Sequence, residues 1–204
     1  QSQEAHLISQ EITVLLQAFD YYEEMTGDYV TMNTLRDRYM ADNVEWIQNF
    51  EESKGHEAIM ISGHNGHVAK AERFYTNMGS QLANSYADSY FVIGTDYYHT
   101  TVNINAVGRD SGRSEQSFTS ADPLAYQAKH FDGEYYLDFS TVENGGATAQ
   151  LLEEPMNMGS LGEGYSFLMH FLPSNHRQKL VPKDLYDGMI FIYEAEPLNL
   201  LTQK

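Results

Sequence analysis

A short apolar run at residues 58–61 (Ala-Ile-Met-Ile) constrains the fold of this chain more than any other feature. Its side chains do not alternate between apolar and polar, so the run predicts a strand that is buried on both faces. A helical pattern precedes it, and a helix at Met78–Tyr86 and a strand at residues 90–95 are predicted after it. This order is typical of an α/β fold with a parallel sheet.

Two helices are predicted before this strand. The first has one apolar stripe, formed by Ile8, Ile12, Leu15, Leu16 and Phe19. The second is predicted at residues 34–52, with Asn33 as its N-cap and Gly55 just beyond its end. Its predicted buried face consists of Leu35, Tyr39, Met40, Val44, Ile47 and Phe50.

The remaining sequence predicts more strands and loops within a single domain, residues 1–204, because a chain of 204 residues suffices for one core. Strands are predicted at residues 97–107, 135–139 and 189–193, and a short helix at residues 123–130. Residues 108–120 are rich in Gly and Ser and predict a loop or hairpin tip. Residues 145–164 lack a clear period and predict a long surface loop.

The charge of the chain limits the classes of partner that it can bind. The formal net charge is −17, which repels nucleic-acid phosphates and anionic lipid and suits a neutral or cationic small molecule. Solubility alone is the simpler explanation of this charge. The chain has no Cys, which excludes disulfides, thiolate catalysis and Cys-based zinc sites. No window approaches eighteen consecutive apolar residues, so no membrane span is expected, and the compartment stays open.

The most specific motif is Gly-His-Asn-Gly-His at residues 63–67, directly after the predicted strand. Ligands of open α/β sheets bind beyond the carboxyl ends of the strands, so His64 and His67 are expected there, above a buried segment 58–61. Near neutral pH an imidazole serves as base, acid or hydrogen-bond donor. The pair therefore predicts a site that binds an oxyanion or activates water, and Asn65 can hydrogen-bond a substrate.

Two simpler explanations of this motif stay open. His64 and Asn65 can serve only to cap the following segment, with His67 as an exposed loop residue. The His-x-x-His spacing can also bind a metal, but a catalytic metal usually needs a third protein ligand, and no convincing one is in view. No metal or cofactor is therefore expected. The sequence also lacks the Gly-x-Ser-x-Gly elbow, the phosphate-binding loop and the dinucleotide fingerprint.

Several segments together resemble the erythromycin esterase-like family. They are Arg-Asp-Arg-Tyr-Met-Ala-Asp-Asn-Val-Glu-Trp at residues 36–46, His-Asn-Gly-His at residues 64–67, Met78-Gly79, and the apolar runs at residues 90–94 and 186–192. The resemblance covers most of the chain and is sharpest over residues 36–94. It implies a three-layer α/β/α sandwich with a mixed, mainly parallel sheet.

The resemblance also implies an activity. The family includes enzymes that hydrolyse the lactone ester of macrolide antibiotics, without a metal, through histidine-activated water. Some members are described as succinoglycan biosynthesis proteins. The implied catalytic residues in this chain are His64 and His67, and the implied substrate-binding residues are Asn65, Arg36 and Asp37.

One departure from the family pattern shapes the hypothesis. The family's proposed general base lies in a Gly-Glu-x-x-His-Gly motif, which this sequence lacks. The chain is therefore expected to be the C-terminal part of an ester hydrolase, with the N-terminal half of the same protein as its partner and an apolar face left exposed where that half belongs. The alternatives are a non-catalytic module that binds a small ligand, and a family member with a role in polysaccharide biosynthesis.

Overall fold

The structure is a computed structural model that describes residues 3–106, 112–162 and 164–198. The chain divides into two compact units, Gln1–Val92 and Ile93–Lys204, each with its own packing. No helix among the described residues has both the length and the apolar character that crossing a membrane requires.

All the regular secondary structure described in the first unit is helical. Its helices are α1 (Gln3–Glu24), α2 (Tyr29–Glu52), α3 (Asn65–Val68) and α4 (Met78–Tyr86), followed by a 3-10 turn at Ala87–Ser89. The bounds of α4 are those predicted from the sequence. Helix α2 begins at Tyr29 instead of Thr34, because Asp28 and not Asn33 is its N-cap. The Asp28 carboxylate accepts the backbone N–H groups of Val30 and Thr31.

The buried side of α2 differs from the predicted apolar face. Its buried residues are Asn33, Asp37 and Ala41, which are spaced four apart and lie on one face of the helix. None of the residues predicted as the buried face is fully buried, and Ile47 is 41% exposed. Apolar periodicity predicts the wrong buried face for α2, because this helix buries polar side chains that have fixed hydrogen-bond partners.

Helix α1 contacts α2 through polar side chains. Gln10 donates to Asn43, Asn43 donates to Gln17, and the Tyr39 hydroxyl donates to Asp20. No residue of α1 is buried, and its predicted apolar stripe is exposed. The large apolar and aromatic side chains exposed along this helix are Leu7, Ile8, Ile12, Val14, Leu15, Leu16, Phe19 and Tyr22. The helix therefore presents an apolar surface that the described residues leave uncovered.

The predicted strand at residues 58–61 is wrong. These residues form no regular structure, and the Met60 side chain is 95% exposed. A strand needs a neighbouring strand for its backbone hydrogen bonds, and the described part of the first unit contains none. The expectation that His64 and His67 follow a buried central strand is therefore wrong as well.

The second unit contains a mixed sheet. Its strands β1 (Ile93–Ala106), β2 (Arg113–Thr119), β3 (Glu134–Asp138) and β7 (Gly188–Ala195) lie in the order β2-β1-β7-β3. The central pair β1–β7 is parallel, whereas β1–β2 and β3–β7 are antiparallel. Strand β5 (Gly164–Tyr165) adds a short parallel pairing to β1. The mixed α/β fold that the family resemblance implied is confirmed.

The segment predicted as a long loop, residues 145–164, is more regular than expected. It contains α6 (Ala147–Glu153) and β4 (Met156–Gly159), and β4 pairs with β6 (Arg177–Leu180) in a separate antiparallel sheet. These elements are anchored by Leu152 and Met158, each 2% exposed, and they are too short for periodicity to detect.

The other connections of the second unit are close to prediction. Helix α5 (Pro123–Gln127) and the 3-10 turn Ala128–His130 form the predicted short helix, and α7 (Pro182–Leu185) precedes β7. Within the predicted loop at 108–120, residues 113–119 form β2. Residues 107–111, including the predicted hairpin tip, lie outside the described residues.

A buried pair of carboxyl groups lies inside the second unit. Asp96 in β1 and Asp122 at the N-cap of α5 are 3% and 0% exposed, and each carboxyl group affects the pKa of the other. Asp96 accepts the backbone N–H of Gly159, and Asp122 accepts two N–H groups from the first turn of α5. Burial raises the pKa of both groups, that of Asp122 to about 9. The neighbouring Asp96 also raises the pKa of Asp122, because two buried carboxyl groups of one pair resist carrying two negative charges.

The core of the first unit gives a direct test of its packing. Leu82 in α4 is 1% exposed, so we expect Leu82→Ala to lower the free energy of unfolding by about 2–5 kcal/mol. Ile47→Ala in α2 removes a side chain that is 41% exposed and should cost less than about 1 kcal/mol. Denaturant unfolding monitored by Trp46 fluorescence measures both. Equal losses would contradict the difference in burial between Leu82 and Ile47.

Candidate functional site

The predicted histidine motif forms a short helical turn between α2 and α4. His64 is the N-cap of α3, and its Nδ1 accepts the backbone N–H of Gly66 at 3.1 Å. The backbone N–H groups of His67 and Val68 both donate to the carbonyl of His64. The capping role considered for His64 is therefore present, and it orders the turn that carries His67.

His67 connects two residues of α2. Its Nδ1 lies 2.8 Å from Asp37 Oδ2, and its Nε2 lies 2.6 Å from Arg36 Nη2. An arginine guanidinium only donates hydrogen bonds, so Nε2 must be the acceptor. Nδ1 then carries the ring proton and donates it to the Asp37 carboxylate. The two contacts together fix His67 as the neutral Nδ1–H tautomer.

Asp37 is the buried end of this chain of hydrogen bonds. Its side chain is 0% exposed, and the same Oδ2 that accepts from His67 also accepts the backbone N–H of Met78 at 2.9 Å. Its Oδ1 lies 4.0 Å from Arg36 Nε. Burial raises the pKa of the nearby Tyr75, and the negative charge of Asp37 raises it further. A buried carboxylate held by two donors gives His67 a fixed orientation.

Arg36 is the accessible end of the same chain. The Arg36 side chain is 39% exposed, whereas that of His67 is 17% exposed. A guanidinium has five N–H donors in a planar arrangement, and the contact with His67 uses one of its nitrogens. Its position next to a rigid imidazole suits it to bind a carboxylate or a carbonyl oxygen that becomes negative during a reaction.

His64 lies beside this group. The ring centroids of His64 and His67 are 6.3 Å apart, with an interplanar angle of 71°. Asn65 begins the α3 turn between them and is half-buried. The structure thus brings together all five sequence-predicted residues in one part of the first unit, although the turn follows no strand.

The part of the chain that the structure describes contains no set of side chains arranged to bind a metal ion. No three His, Asp or Glu side chains come together there in a metal-binding arrangement. Both ring nitrogens of His67 already have partners, so a metal at this residue would displace Arg36 or Asp37.

A comparison of the sequence with models of protein families identifies the family of this chain. The family model of erythromycin esterase matches residues 1–195. The chain belongs to the erythromycin esterase family. A search of curated protein sequences gave no match. Membership places the chain in a hydrolase-like family, in agreement with the resemblance of residues 36–94.

Two solved structures share the erythromycin esterase fold with this chain. One is a Bacillus cereus protein, with a TM-score of 0.75 and 20% identity, and the match covers 96% of this chain and 46% of that chain. The other is a succinoglycan biosynthesis protein, with a TM-score of 0.65 and 17% identity, and the match covers 83% of this chain and 40% of that one. At these identities the likeness concerns the fold. The chain spans less than half the length of either structure.

One functional contact, the Met78 backbone N–H on Asp37, was not predicted from the sequence. A backbone donor leaves no signal in residue type, because every residue except proline has one. The only available signal was the Met78-Gly79 pair in the family resemblance. Its structural meaning becomes visible once α4 is placed beside α2.

Proposed function

We propose that this chain provides the transition-state-binding part of an ester hydrolase, with Arg36 as the group that stabilises the developing oxyanion. The observation that carries the proposal is the continuous chain Asp37–His67–Arg36, with distances of 2.8 and 2.6 Å. A positive donor that is held in place before the reaction needs no reorganisation as charge develops, which is the main source of electrostatic catalysis.

His67 acts as a positioning residue in this proposal. A general base needs a free lone pair, but the Nε2 lone pair of His67 accepts from Arg36. The guanidinium stays protonated in proteins, so it cannot release this nitrogen by losing its own proton. His67 therefore orients Arg36. His64 uses its Nδ1 as a helix cap, and its Nε2 is the candidate that transfers a proton to the leaving alcohol.

The general base that activates water belongs, in this proposal, to a further segment of the same protein. The structures that share the fold are more than twice as long, since the match covers 46% and 40% of them. The apolar side chains exposed on α1, and Met60, offer a surface for such a segment. The substrate is a neutral ester or glycosylated lactone, which agrees with the net charge of −17, and neither nucleic acid nor a membrane surface is a partner.

The variant His67→Asn tests the role of His67 within the proposed function. The Asn amide places an N–H donor where Nδ1 stood, so Asp37 keeps a partner, but Arg36 loses the Nε2 acceptor. We expect kcat/KM for ester hydrolysis to fall about 100-fold, with a melting temperature close to that of the wild type. The measurement uses the protein that carries this chain, with a panel of macrolide lactones and simple aryl esters.

The matched control is His67→Gln, whose amide oxygen reaches the Nε2 position and can accept from Arg36. This variant leaves Asp37 without its side-chain donor, so it should lose stability and keep more activity per folded molecule than His67→Asn. Equal rates for His67→Asn and wild type would exclude the proposed role. A wild type that binds these compounds without hydrolysing them would favour a non-catalytic binding module.

A further inference from the structure

Three consecutive residues at the start of α4, Asn77, Met78 and Gly79, contact the elements that carry the candidate site. Asn77 is 3% exposed and is the N-cap residue of α4. Its side-chain Nδ2 donates to the carbonyls of Gly66 at 3.0 Å and Ala69 at 2.8 Å. These carbonyls lie on either side of His67 in sequence, so one amide group holds both sides of the turn by hydrogen bonds.

Met78 contacts the other partner of His67. Its backbone N–H donates to Asp37 Oδ2, the same oxygen that accepts from His67 Nδ1. As the first residue of α4, Met78 has no intrahelical acceptor for this N–H, so the bond uses a donor that the helix leaves free. The positive end of the helix dipole also favours the negative carboxylate. The contact fixes the orientation of Asp37.

Gly79 allows α4 to lie this close. A Cβ atom at Gly79 would stand 2.3 Å from the Val68 carbonyl oxygen and 2.4 Å from that of Ala69. These are backbone atoms, which cannot move aside as a flexible side chain does. Any other residue at position 79 would push α4 away from the turn and lengthen the hydrogen bonds of Asn77 and Met78.

We propose that Asn77, Met78 and Gly79 form a positioning element that holds Arg36 for its role in hydrolysis, by fixing Asp37 and the turn that carries His67. None of the three touches the substrate in this scheme, so they act only through Asp37 and His67. The consequence for hydrolysis rests on the proposed function, but the positioning itself can be measured without a substrate.

The first test isolates the Met78 N–H with a matched pair of variants. Met78→Pro removes this N–H at the first helical position, where proline is tolerated, and Asn77 already has the extended backbone (φ −85°, ψ 165°) that precedes proline. Met78→Ala removes the same buried side chain but keeps the N–H. The readout is solvent exchange of the His67 Nδ1 proton, measured by NMR on the 204-residue chain with ¹⁵N-labelled histidine.

We expect this proton to exchange at least about tenfold faster in Met78→Pro than in Met78→Ala, because Asp37 becomes free to rotate. In the protein that carries this chain, hydrolysis should fall about 10–100-fold in the proline variant relative to the alanine variant. Equal exchange rates in the two variants would overturn the proposal. If the wild type hydrolyses no ester, the proposed function fails, while the exchange measurement still decides whether the element positions His67.

The second test compares two buried asparagines of the first unit. Asn33 is 5% exposed and donates its amide to the Tyr29 carbonyl of its own helix, and not to the turn that carries His67. Asn77→Ala and Asn33→Ala each remove a buried amide, but only the first should accelerate exchange of the His67 Nδ1 proton. If both variants accelerate it equally, general destabilisation explains the effect and the proposal is wrong. If Asn77→Ala does not fold, the Met78 pair gives the answer.

Discussion

Arg36→Ala should lower kcat/KM for ester hydrolysis by about 10²–10³-fold, which is the loss measured when one oxyanion-binding donor is removed. The structure gives the reason, because Arg36 is the accessible end of a chain of hydrogen bonds anchored on a fully buried carboxylate. Stability should change by less than about 1 kcal/mol, since the Arg36 side chain is 39% exposed. Rates and melting temperatures are measured on the same preparations.

Arg38 offers a matched control on the same helix. Its guanidinium lies 5.0 Å from the centre of the Tyr39 ring, and the residue is exposed. Arg38→Ala removes the same charge from α2 and should leave the rate unchanged. Added guanidinium ion should partly restore Arg36→Ala and should not affect Arg38→Ala. An equal loss of rate in the two variants would mean that net charge, and not the position of Arg36, matters for hydrolysis.

Asp122→Asn should reduce the pH dependence of stability of the second unit. The ordinary pKa of this carboxyl is 3.8, and burial together with the neighbouring Asp96 raises it to about 9 in the folded state. Between these pH values the unfolded chain has released a proton that the folded chain keeps. The free energy of unfolding of the wild type therefore falls as pH rises from about 4 to about 9.

The amide introduced by Asp122→Asn needs no proton to hydrogen-bond Asp96, and its oxygen can still accept from the first turn of α5. We expect the variant to be more stable than the wild type at pH 8, by an amount on the order of 3 kcal/mol, and to show a flatter profile. Denaturant-dependent hydrogen exchange of the β1 and β7 amides measures the free energy of unfolding of this unit. An unchanged slope would show that Asp122 does not keep its proton in the folded state.

Asp138 supplies the control for this experiment. It caps a 3-10 turn, and its pKa is lowered by hydrogen bonds from the Ser140 hydroxyl and backbone N–H. A group with a lowered pKa stabilises the fold above its ordinary pKa and loses that contribution only as pH falls through the folded value. Asp138→Asn should therefore leave the slope above about pH 5 as it is in the wild type.

The sequence predicted local structure well where the apolar periodicity is strong and the element does not depend on distant residues. Helix α4 has its predicted bounds, and the predicted apolar run at 189–193 lies inside β7. The apolar run at 58–61 has the composition of a strand but finds no strand neighbour in the described part of its unit. Strand formation depends on pairing with distant residues, which a local pattern does not contain.

The members of the site could be predicted, but their arrangement could not. The five residues His64, Asn65, His67, Arg36 and Asp37 were all named from the sequence, and the structure places them in one unit. Asp37 is not among the residues predicted as the buried face of α2, whereas it is fully buried in the structure. Its burial depends on α4 and on a backbone N–H, and neither is visible in the residue types of α2.

The central claim is that Arg36 and His67 act as one unit, and a double-mutant cycle on kcat/KM tests it most directly. The four proteins are the wild type, Arg36→Ala, His67→Asn, and the double variant. Because His67 works only by orienting Arg36, the double variant should be no slower than Arg36→Ala within about twofold. If the two losses multiply, His67 contributes to hydrolysis independently of Arg36, and the claim that the two residues act as one unit is wrong.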